Sequence, residues 1–220
     1  TGNGNFEGSA TADWSIAKAK LTITANNNSI TYGDVPAANG VTGTGFVSSE
    51  SIEDLSGELT YSYNYEQFGN VGTYKITPVG LTSDNYEITF ADGTLTVNAK
   101  AITVTADALS KTYGDTDPTL TYTAQGLVNG DELTGELKRV AGENVGNYAI
   151  EQNTLTVGNN YSITYTGAKL TINKRSVTVT AKDQTLTYGE TISGTEITAN
   201  GLVDGHSVTV TLTPSTANVT

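Results

Sequence analysis

The chain has 220 residues and a formal net charge of −12, from 11 basic and 23 acidic side chains. An acidic surface repels phosphate groups, which excludes nucleic acid and anionic membrane surfaces as expected partners. Cysteine is absent, which excludes disulfides, thiolate metal ligands and a cysteine nucleophile, and no apolar run approaches the ~18 residues that indicate a membrane-spanning helix.

Landmarks that recur in the same order predict tandem modules, because self-similarity at a fixed period is the signature of repeat architectures. Gly-Phe-Val or Gly-Leu-Val occurs three times, and Val-Gly-x-Tyr and Asn-Tyr segments recur at matching offsets. A Tyr-Gly pair followed by an acid precedes each Gly-Phe/Leu-Val, at Tyr32-Gly33, Tyr113-Gly114 and Tyr188-Gly189. We expect these tyrosines to fill space in small cores, and the glycines to adopt backbone angles barred to other residues.

The module boundaries follow from these landmarks. Residues 1–18 are predicted to be the C-terminal strands of a preceding module. Residues 19–99 and 100–174 are predicted to be complete modules, and residues 175–220 the N-terminal part of a third. The connections between them are short and contain no glycine-serine or proline-rich spacer. The chain is therefore expected to be an elongated, stiff rod of modules.

The first strand of each module alternates strictly between apolar and polar residues. In the second module Ile102, Val104 and Ala106 are apolar, whereas Thr103 and Thr105 are polar. A period of two predicts a strand with one face on the core and the other in water. The same pattern opens the other two modules, so the fold class is predicted to be all-β.

Module one contains an insert and a stripe of tyrosines. The insert adds about seven residues near residues 48–56, is acidic, and is expected to form a surface loop, as insertions in repeats usually do. Tyr61, Tyr63 and Tyr65 follow at every second position. We expect this stripe to pack inward or against a neighbouring strand. The alternative is that it contacts a host glycan or protein, since exposed tyrosine is enriched at recognition surfaces.

The closing segment of each complete module is predicted to be a hairpin. In module one Asp92-Gly93 separates two alternating runs, and Asp-Gly between such runs is a strong hairpin signal. Gly167 stands in the same place in module two. The segment 128–133 is the only one that fits a turn of helix, and it is too short to change the fold class.

Few residues suggest a chemical site. His206 is the only histidine; it lies in a turn, and we expect it to be solvated and the chain to carry no catalytic residues. No EF-hand spacing is present, so solvated turn acids are the expected interpretation, with no metal or other cofactor. The loop carboxylates that could nevertheless supply oxygens to calcium are Asp115, Asp117, Asp131 and Glu132.

The repeated Tyr-Gly-Asp/Glu and the closing segment from Asn160 to Ile172 (Asn-Tyr-Ser-Ile-Thr, then Gly, then Leu-Thr-Ile) resemble the MBG domain of the YGX type. The resemblance covers nearly the whole chain. It implies small β modules in long arrays of extracellular, adhesin-like proteins on bacterial cell surfaces, anchored to the wall or outer surface. It transfers no catalytic residues. An Ig-like sandwich and a β-grasp-like sheet both remain open.

Two functions are compatible with these observations. The first is a non-catalytic stalk that projects a distal domain from the cell, with neighbouring repeats as the main partners. The alternative is an adhesive module that binds a host glycan or protein through the acidic insert and tyrosine stripe of module one. Residues 1–18 could also supply strands to residues 175–220 of a neighbouring molecule, by strand complementation at an open sheet edge.

Overall fold

The computed structural model describes residues 8–191 and 197–211. Apart from one short 3-10 helix, Ile52–Asp54, the regular structure of the described residues consists of strands, which confirms the all-β prediction. None of the described residues forms a helix long and apolar enough to cross a membrane.

Module one contains seven strands in two mixed sheets. One sheet has the order β3-β1-β6 and the other β2-β7-β5-β4. Strand β1 pairs in parallel with β6, and β2 pairs in parallel with β7. The strands are β1 (Ala19–Ala25), β2 (Asn28–Thr31), β3 (Val41–Thr44), β4 (Ser56–Tyr63), β5 (Gly72–Thr82), β6 (Tyr86–Ala91) and β7 (Gly93–Asn98).

The core of module one lies where the alternating pattern predicts it. Leu21 and Ile23 on β1 are almost fully buried and form a cluster with Leu81 and Tyr86. Removing these apolar side chains from water is the main favourable term for a module of this size. The insert contributes too, because Ile52 at the start of the 3-10 helix packs against the same cluster.

The predicted hairpin between the last two strands is wrong, because β6 and β7 belong to different sheets. Only Asp92 separates them, so the chain crosses from one sheet to the other. The Asp92 carboxylate fixes the crossing by accepting hydrogen bonds from Lys75 Nζ at 2.7 Å and Thr77 Oγ1 at 2.6 Å. A Cβ atom at Gly93 would overlap the carbonyl oxygen of Ala25, so this glycine permits close backbone approach and does not mark a turn.

Module two repeats this topology strand for strand. Its sheets have the orders β10-β8-β13 and β11-β12-β14-β9, and β9 pairs in parallel with β14 as β2 does with β7. The crossing between β13 and β14 again replaces a predicted hairpin. The strands are β8 (Lys100–Ala106), β9 (Leu109–Thr112), β10 (Tyr122–Gln125), β11 (Lys138–Arg139), β12 (Gly146–Glu151), β13 (Tyr161–Thr166) and β14 (Ala168–Asn173).

The segment 128–133 does not form the helical turn that its sequence allows. Asn129 and Gly130 have positive φ values of 58° and 74°, and the Asp131 N–H donates to the carbonyl of Val128 at 3.0 Å. Two successive positive φ values produce a tight β-turn and are incompatible with a right-handed helix.

The third module is described only in part. Strands β15 (Thr178–Ala181) and β16 (Ile197–Asn200) pair antiparallel, as β1 and β3 do in module one. The predicted strand complementation between residues 1–18 and 175–220 falls partly on residues 1–7, 192–196 and 212–220, which lie outside the described residues.

The described residues form two compact units whose limits cut across the modules. The first comprises residues 8–101 together with 126–131 and 157–162, and the second comprises the others. Two loops of module two therefore belong to the same compact unit as module one.

Candidate functional site

The three Tyr-Gly pairs form the same tight turn, here called the Tyr-Gly turn. In each, the N–H of the following acid donates to the carbonyl of the preceding threonine at 3.0 Å. The glycines have φ values of +93°, +87° and +96°, as the third position of a type II turn requires. The acid's carboxylate accepts the threonine N–H in the first turn, from Thr31 to Asp34 at 3.0 Å, and in the third, from Thr187 to Glu190 at 2.7 Å.

The first Tyr-Gly turn is seated, within the first compact unit, against two loops of module two. Tyr32 is only 3% exposed, and its hydroxyl donates to Asp131 Oδ2 at 2.9 Å. The same oxygen accepts a hydrogen bond from Tyr161 at 2.7 Å. The Tyr32 ring packs edge-on against Tyr161 and Phe68, with centroid distances of 5.2 and 6.3 Å.

We call Val128, Asp131 and Tyr161 the receiving site of module two. All three residues come from module two, and the tight turn that ends at Asp131 is held by a hydrogen bond from the Val128 N–H to the Tyr161 hydroxyl at 3.1 Å. A Cβ atom at Gly33 would lie 3.1 Å from a methyl of Val128. The glycine thus allows the positive φ of the turn, and its lack of a side chain allows the turn to approach Val128 closely enough for Tyr32 to enter the site.

The electrostatics of this site keep both phenols neutral. Burial, opposed in part by the backbone hydrogen bond at Val128 and reinforced by Asp131, raises the pKa of Tyr161 to about 12. Burial and the hydrogen bond to Asp131 likewise raise the pKa of Tyr32. Phenols held neutral beside a carboxylate act as hydrogen-bond donors, so the arrangement is suited to holding two segments together.

The second Tyr-Gly turn meets an equivalent site inside the second compact unit. The Tyr113 hydroxyl lies 3.3 Å from His206 Nε2, and a Cβ atom at Gly114 would overlap Val203. The His206 N–H donates to the Val203 carbonyl at 3.1 Å, as Asp131 does to Val128. His206 is thus an exposed turn residue that occupies the position of Asp131. It contacts Tyr113 at a join between modules, a role that the sequence did not suggest.

The four calcium candidates do not converge on a common point. Asp115 forms an ion pair with Arg175 at 2.9 Å. Asp117 forms ion pairs with Lys111 and Arg139. Asp131, next to Glu132 in the chain, accepts hydrogen bonds from the two phenols. Among the described residues, no group of three or more acidic or histidine side chains is placed to hold a metal ion.

A compact ion cluster in module two was missed by sequence reasoning. Lys111 is buried, and its Nζ lies 2.7 Å from Asp117 and 2.6 Å from Glu143. Arg139 pairs with the same two acids, with its Nε 2.6 Å from Asp117. The Arg139 guanidinium also lies over the ring of Tyr148, 5.3 Å from its centroid. Hydrogen bonds from Arg139 and Lys111 lower the pKa of Asp117 to about 2.

The tyrosine stripe of module one faces the core side of its sheet. Tyr61 and Tyr63 lie directly opposite Pro78 and Ile76 on β5, both fully buried, and directly opposed residues share a face. Tyr65 is buried and packs edge-on against Tyr74 at 4.9 Å. Burial raises the pKa of the Tyr61, Tyr63 and Tyr65 hydroxyls. Packing therefore accounts for the stripe, and its contact with a ligand stays a hypothesis.

A family model described as MBG domain (YGX type) matches residues 21–96 and 102–171, well over half of the chain. The chain belongs to the YGX-type MBG domain family. The two MBG domains lie within the predicted modules 19–99 and 100–174. No curated protein matches the sequence. In this chain, Tyr-Gly followed by an acid is the Tyr-Gly turn, and the first two of these turns contact the receiving site of module two and its equivalent at Val203 and His206.

Proposed function

We propose that this chain is part of a non-catalytic stalk, an extracellular array of MBG domains that holds a distal domain of a bacterial surface protein away from the cell. The observation that carries the proposal is that the Tyr32 side chain is buried in the receiving site of module two. A motif repeated in every module is here used to fasten one repeat to the next, which is what a spacer requires.

The connection between the two complete MBG domains supports the same function. Strand β7 ends at Asn98 and β8 begins at Lys100, so Ala99 alone separates them. A connection of one residue leaves little freedom to a chain that is also fixed by the buried phenol of Tyr32. The absence of cysteine and the acidic composition are compatible with an exported, soluble array.

The stalk function can be tested by ¹⁵N relaxation of the whole chain. We expect both MBG domains of the wild type to report one common rotational correlation time. In Tyr32→Ala, the two domains should tumble with separate and shorter correlation times. The control, Tyr122→Ala, removes an aromatic ring outside the receiving sites and should behave as the wild type. Independent tumbling of the wild-type domains would contradict the stalk.

An adhesive function is the second candidate, favoured by one observation. Strand β4 lies at the edge of its sheet, with Tyr61 and Tyr63 half-buried and the exposed Glu53 on the preceding 3-10 helix. A glycan array probed with the whole chain distinguishes the two functions. A specific signal that Tyr61→Ala abolishes would establish adhesion, whereas silence across the array favours the stalk.

A further inference from the structure

In the part of the chain that the structure describes, two pairs of tyrosines pack ring against ring: Tyr32 with Tyr161, and Tyr65 with Tyr74. The first pair brings module one against a loop of module two within one compact unit. Its ring centroids are 5.2 Å apart, and the ring planes are inclined at 71°. Both hydroxyls donate to Asp131 Oδ2, at 2.9 and 2.7 Å. The hydroxyl-bearing ends of the two rings therefore converge on a single oxygen atom.

The composition of the chain directs one-electron oxidation to aromatic side chains. Cysteine and methionine are both absent, whereas there are 12 tyrosines and one tryptophan. Thiols and thioethers are the side chains that oxidants commonly attack. Because this chain has neither, its phenols are the most abundant groups that can give up an electron, and closely paired phenols are the places where two such losses can form a bond.

Asp131 supplies the base that oxidation of Tyr32 and Tyr161 requires. Both phenols are neutral at physiological pH, because burial raises the pKa of Tyr32 and raises that of Tyr161 to about 12. A neutral phenol must lose its proton as it loses an electron, and a hydrogen-bonded carboxylate is placed to accept that proton. Asp131 is partly exposed, so it can release the proton to water before the second ring is oxidised.

The pair formed by Tyr65 and Tyr74 has a similar ring distance but a different hydrogen-bond partner. Its centroids are 4.9 Å apart, and the Tyr74 hydroxyl donates to the carbonyl of Asn70 at 2.7 Å. A backbone carbonyl is too weak a base to take the proton of an oxidised phenol. This second pair therefore separates the effect of ring proximity from that of a nearby carboxylate.

We propose that Tyr32 and Tyr161 form a site of oxidative cross-linking, where an external one-electron oxidant couples the two rings through a carbon–carbon bond. Each ring gives one electron to the oxidant and its phenol proton to Asp131, which passes it to water. The two phenoxyl radicals join at ring carbons adjacent to their oxygens. The hydrogen on each of these carbons then moves to the oxygen, which restores both phenols. The chain loses two protons and two electrons, and two equivalents of oxidant are each reduced by one electron.

The product is a covalent link between successive repeats. A bond between Tyr32 and Tyr161 joins positions far apart in the sequence, and such a link restricts the unfolded chain. The oxidised protein should therefore unfold at a higher urea concentration than the untreated protein. A chain without cysteine gains in this way the kind of cross-link that disulfides provide in other exported proteins. The inference does not depend on the stalk function, because coupling requires only the contact between these two rings.

Oxidation of the whole chain followed by peptide mapping tests the proposal. The chain is oxidised in dilute solution with photo-oxidised ruthenium tris-bipyridine and persulfate, and the monomer is isolated and digested with trypsin. Trypsin cleaves after lysine and arginine, so Tyr32 falls in the peptide 21–75 and Tyr161 in the peptide 140–169. We expect mass spectrometry to show these two peptides joined and two hydrogen atoms lighter than their sum. A link between Tyr65 and Tyr74 stays inside the first peptide, so its mass distinguishes it.

Variants that lack a single hydroxyl assign the bond. Tyr32→Phe and Tyr161→Phe should each abolish the joined peptides. Tyr74→Phe and Tyr165→Phe change one tyrosine in each of the same two peptides and should keep the wild-type yield. Wild type oxidised in urea should give no joined peptides, because the unfolded chain does not hold the rings together. The proposal is overturned if the folded wild type gives no joined peptides, if they survive Tyr32→Phe or Tyr161→Phe, or if the link within peptide 21–75 forms faster.

Discussion

Tyr32 and Tyr161 share one carboxylate oxygen of Asp131, and this small network explains why a tyrosine stands before the glycine in the first Tyr-Gly turn. Phenylalanine could fill the same space against Tyr161 and Phe68, but it could not donate to the carboxylate. At the next join His206 replaces Asp131 and lies beside Tyr113, which is only half-buried. The same turn is therefore used with hydrogen-bonding partners of different chemistry.

Substitutions at Tyr32 separate packing from hydrogen bonding. Tyr32→Ala should lower the free energy of unfolding by roughly 3–5 kcal/mol, because it empties an aromatic site in the core. Tyr32→Phe should cost roughly 1.5–3 kcal/mol, the range for a hydrogen bond to a charged group. Urea denaturation measures both values. Equal losses for the two variants would contradict the packing role of the ring.

The half-buried Tyr113 provides the matched comparison. Truncating a fully buried tyrosine ring at this position would cost roughly 3 kcal/mol or more. Because the ring retains contact with water, we expect Tyr113→Ala to cost clearly less than Tyr32→Ala in the same urea titration. The reverse order would contradict the structure at both joins.

The ion cluster gives module two a sensitivity to acid. An unperturbed aspartate titrates near pH ~3.9, whereas Arg139 and Lys111 lower the pKa of Asp117 to about 2 in the folded chain. A lowered folded pKa stabilises the fold above pH ~4, and this contribution is lost as the pH falls from about 4 to about 2. The Asp117 side chain is 40% exposed, so solvent screening reduces the effect.

Asp117→Asn should therefore flatten the decline of the unfolding free energy between pH ~4 and ~2. Asp84→Asn makes the same change of charge outside the cluster and should keep the wild-type slope. The measurement is urea denaturation across this pH range. An unchanged slope in Asp117→Asn would show that the ion pairs do not contribute to stability.

At the scale of the strand, the crossing between the two sheets is the feature that alternation alone could not reveal. Strands β6 and β7 have the pattern of a hairpin, and Asp92-Gly93 is good turn chemistry. The single intervening residue and the parallel partners β1 and β2 instead send the chain into the other sheet. Long-range pairing decides between these outcomes, and it leaves no local signal.

Two strand glycines test this explanation. Gly93→Ala should destabilise module one by about 1–3 kcal/mol, the usual cost of overpacking, because its Cβ would overlap the backbone of Ala25. Gly72→Ala is the control, since the nearest atom to its Cβ is a ring carbon of Tyr74 at 3.8 Å. We expect it to be neutral or slightly stabilising. Similar losses at both positions, measured by thermal unfolding, would contradict close approach at Gly93.

At the scale of the whole chain, the compact units do not coincide with the repeated sequence units. Residues 126–131 and 157–162 belong to module two by sequence but to the first compact unit by contact. A repeat array whose neighbours share such segments gains stability from each interface as well as from each repeat. Module one and the loops that receive it should therefore lose their structure together.

This coupling predicts a single calorimetric transition for the two MBG domains, with equal calorimetric and van't Hoff enthalpies. Asp131→Ala removes the acceptor shared by Tyr32 and Tyr161, and should split the transition into two. Glu132→Ala changes the neighbouring exposed acid and should preserve the single transition. Two transitions in the wild type would contradict the coupling.

The fold class and the repeats could be predicted from the sequence because both depend on periodicity. Strand alternation is a local pattern, and the repeats are a self-similar one. Sequence reasoning identified the Tyr-Gly turn because glycine after tyrosine at a fixed place implies a special backbone angle. It missed the receiving site because Val128, Asp131 and Tyr161 are brought together only by folding. It missed the ion cluster because Lys111 stands where module one has Ile30, and an isolated lysine predicts a solvated side chain.

Parallel pairing of β2 with β7 has a mechanical consequence. The chain enters a domain at β1, just before β2, and leaves it at the end of β7, so tension between the two ends pulls these neighbours along their length in opposite senses. The four residue pairs that join them are then loaded together in shear, and no single bond can open first. A tethered surface protein under flow would resist unfolding better if these residue pairs break only together.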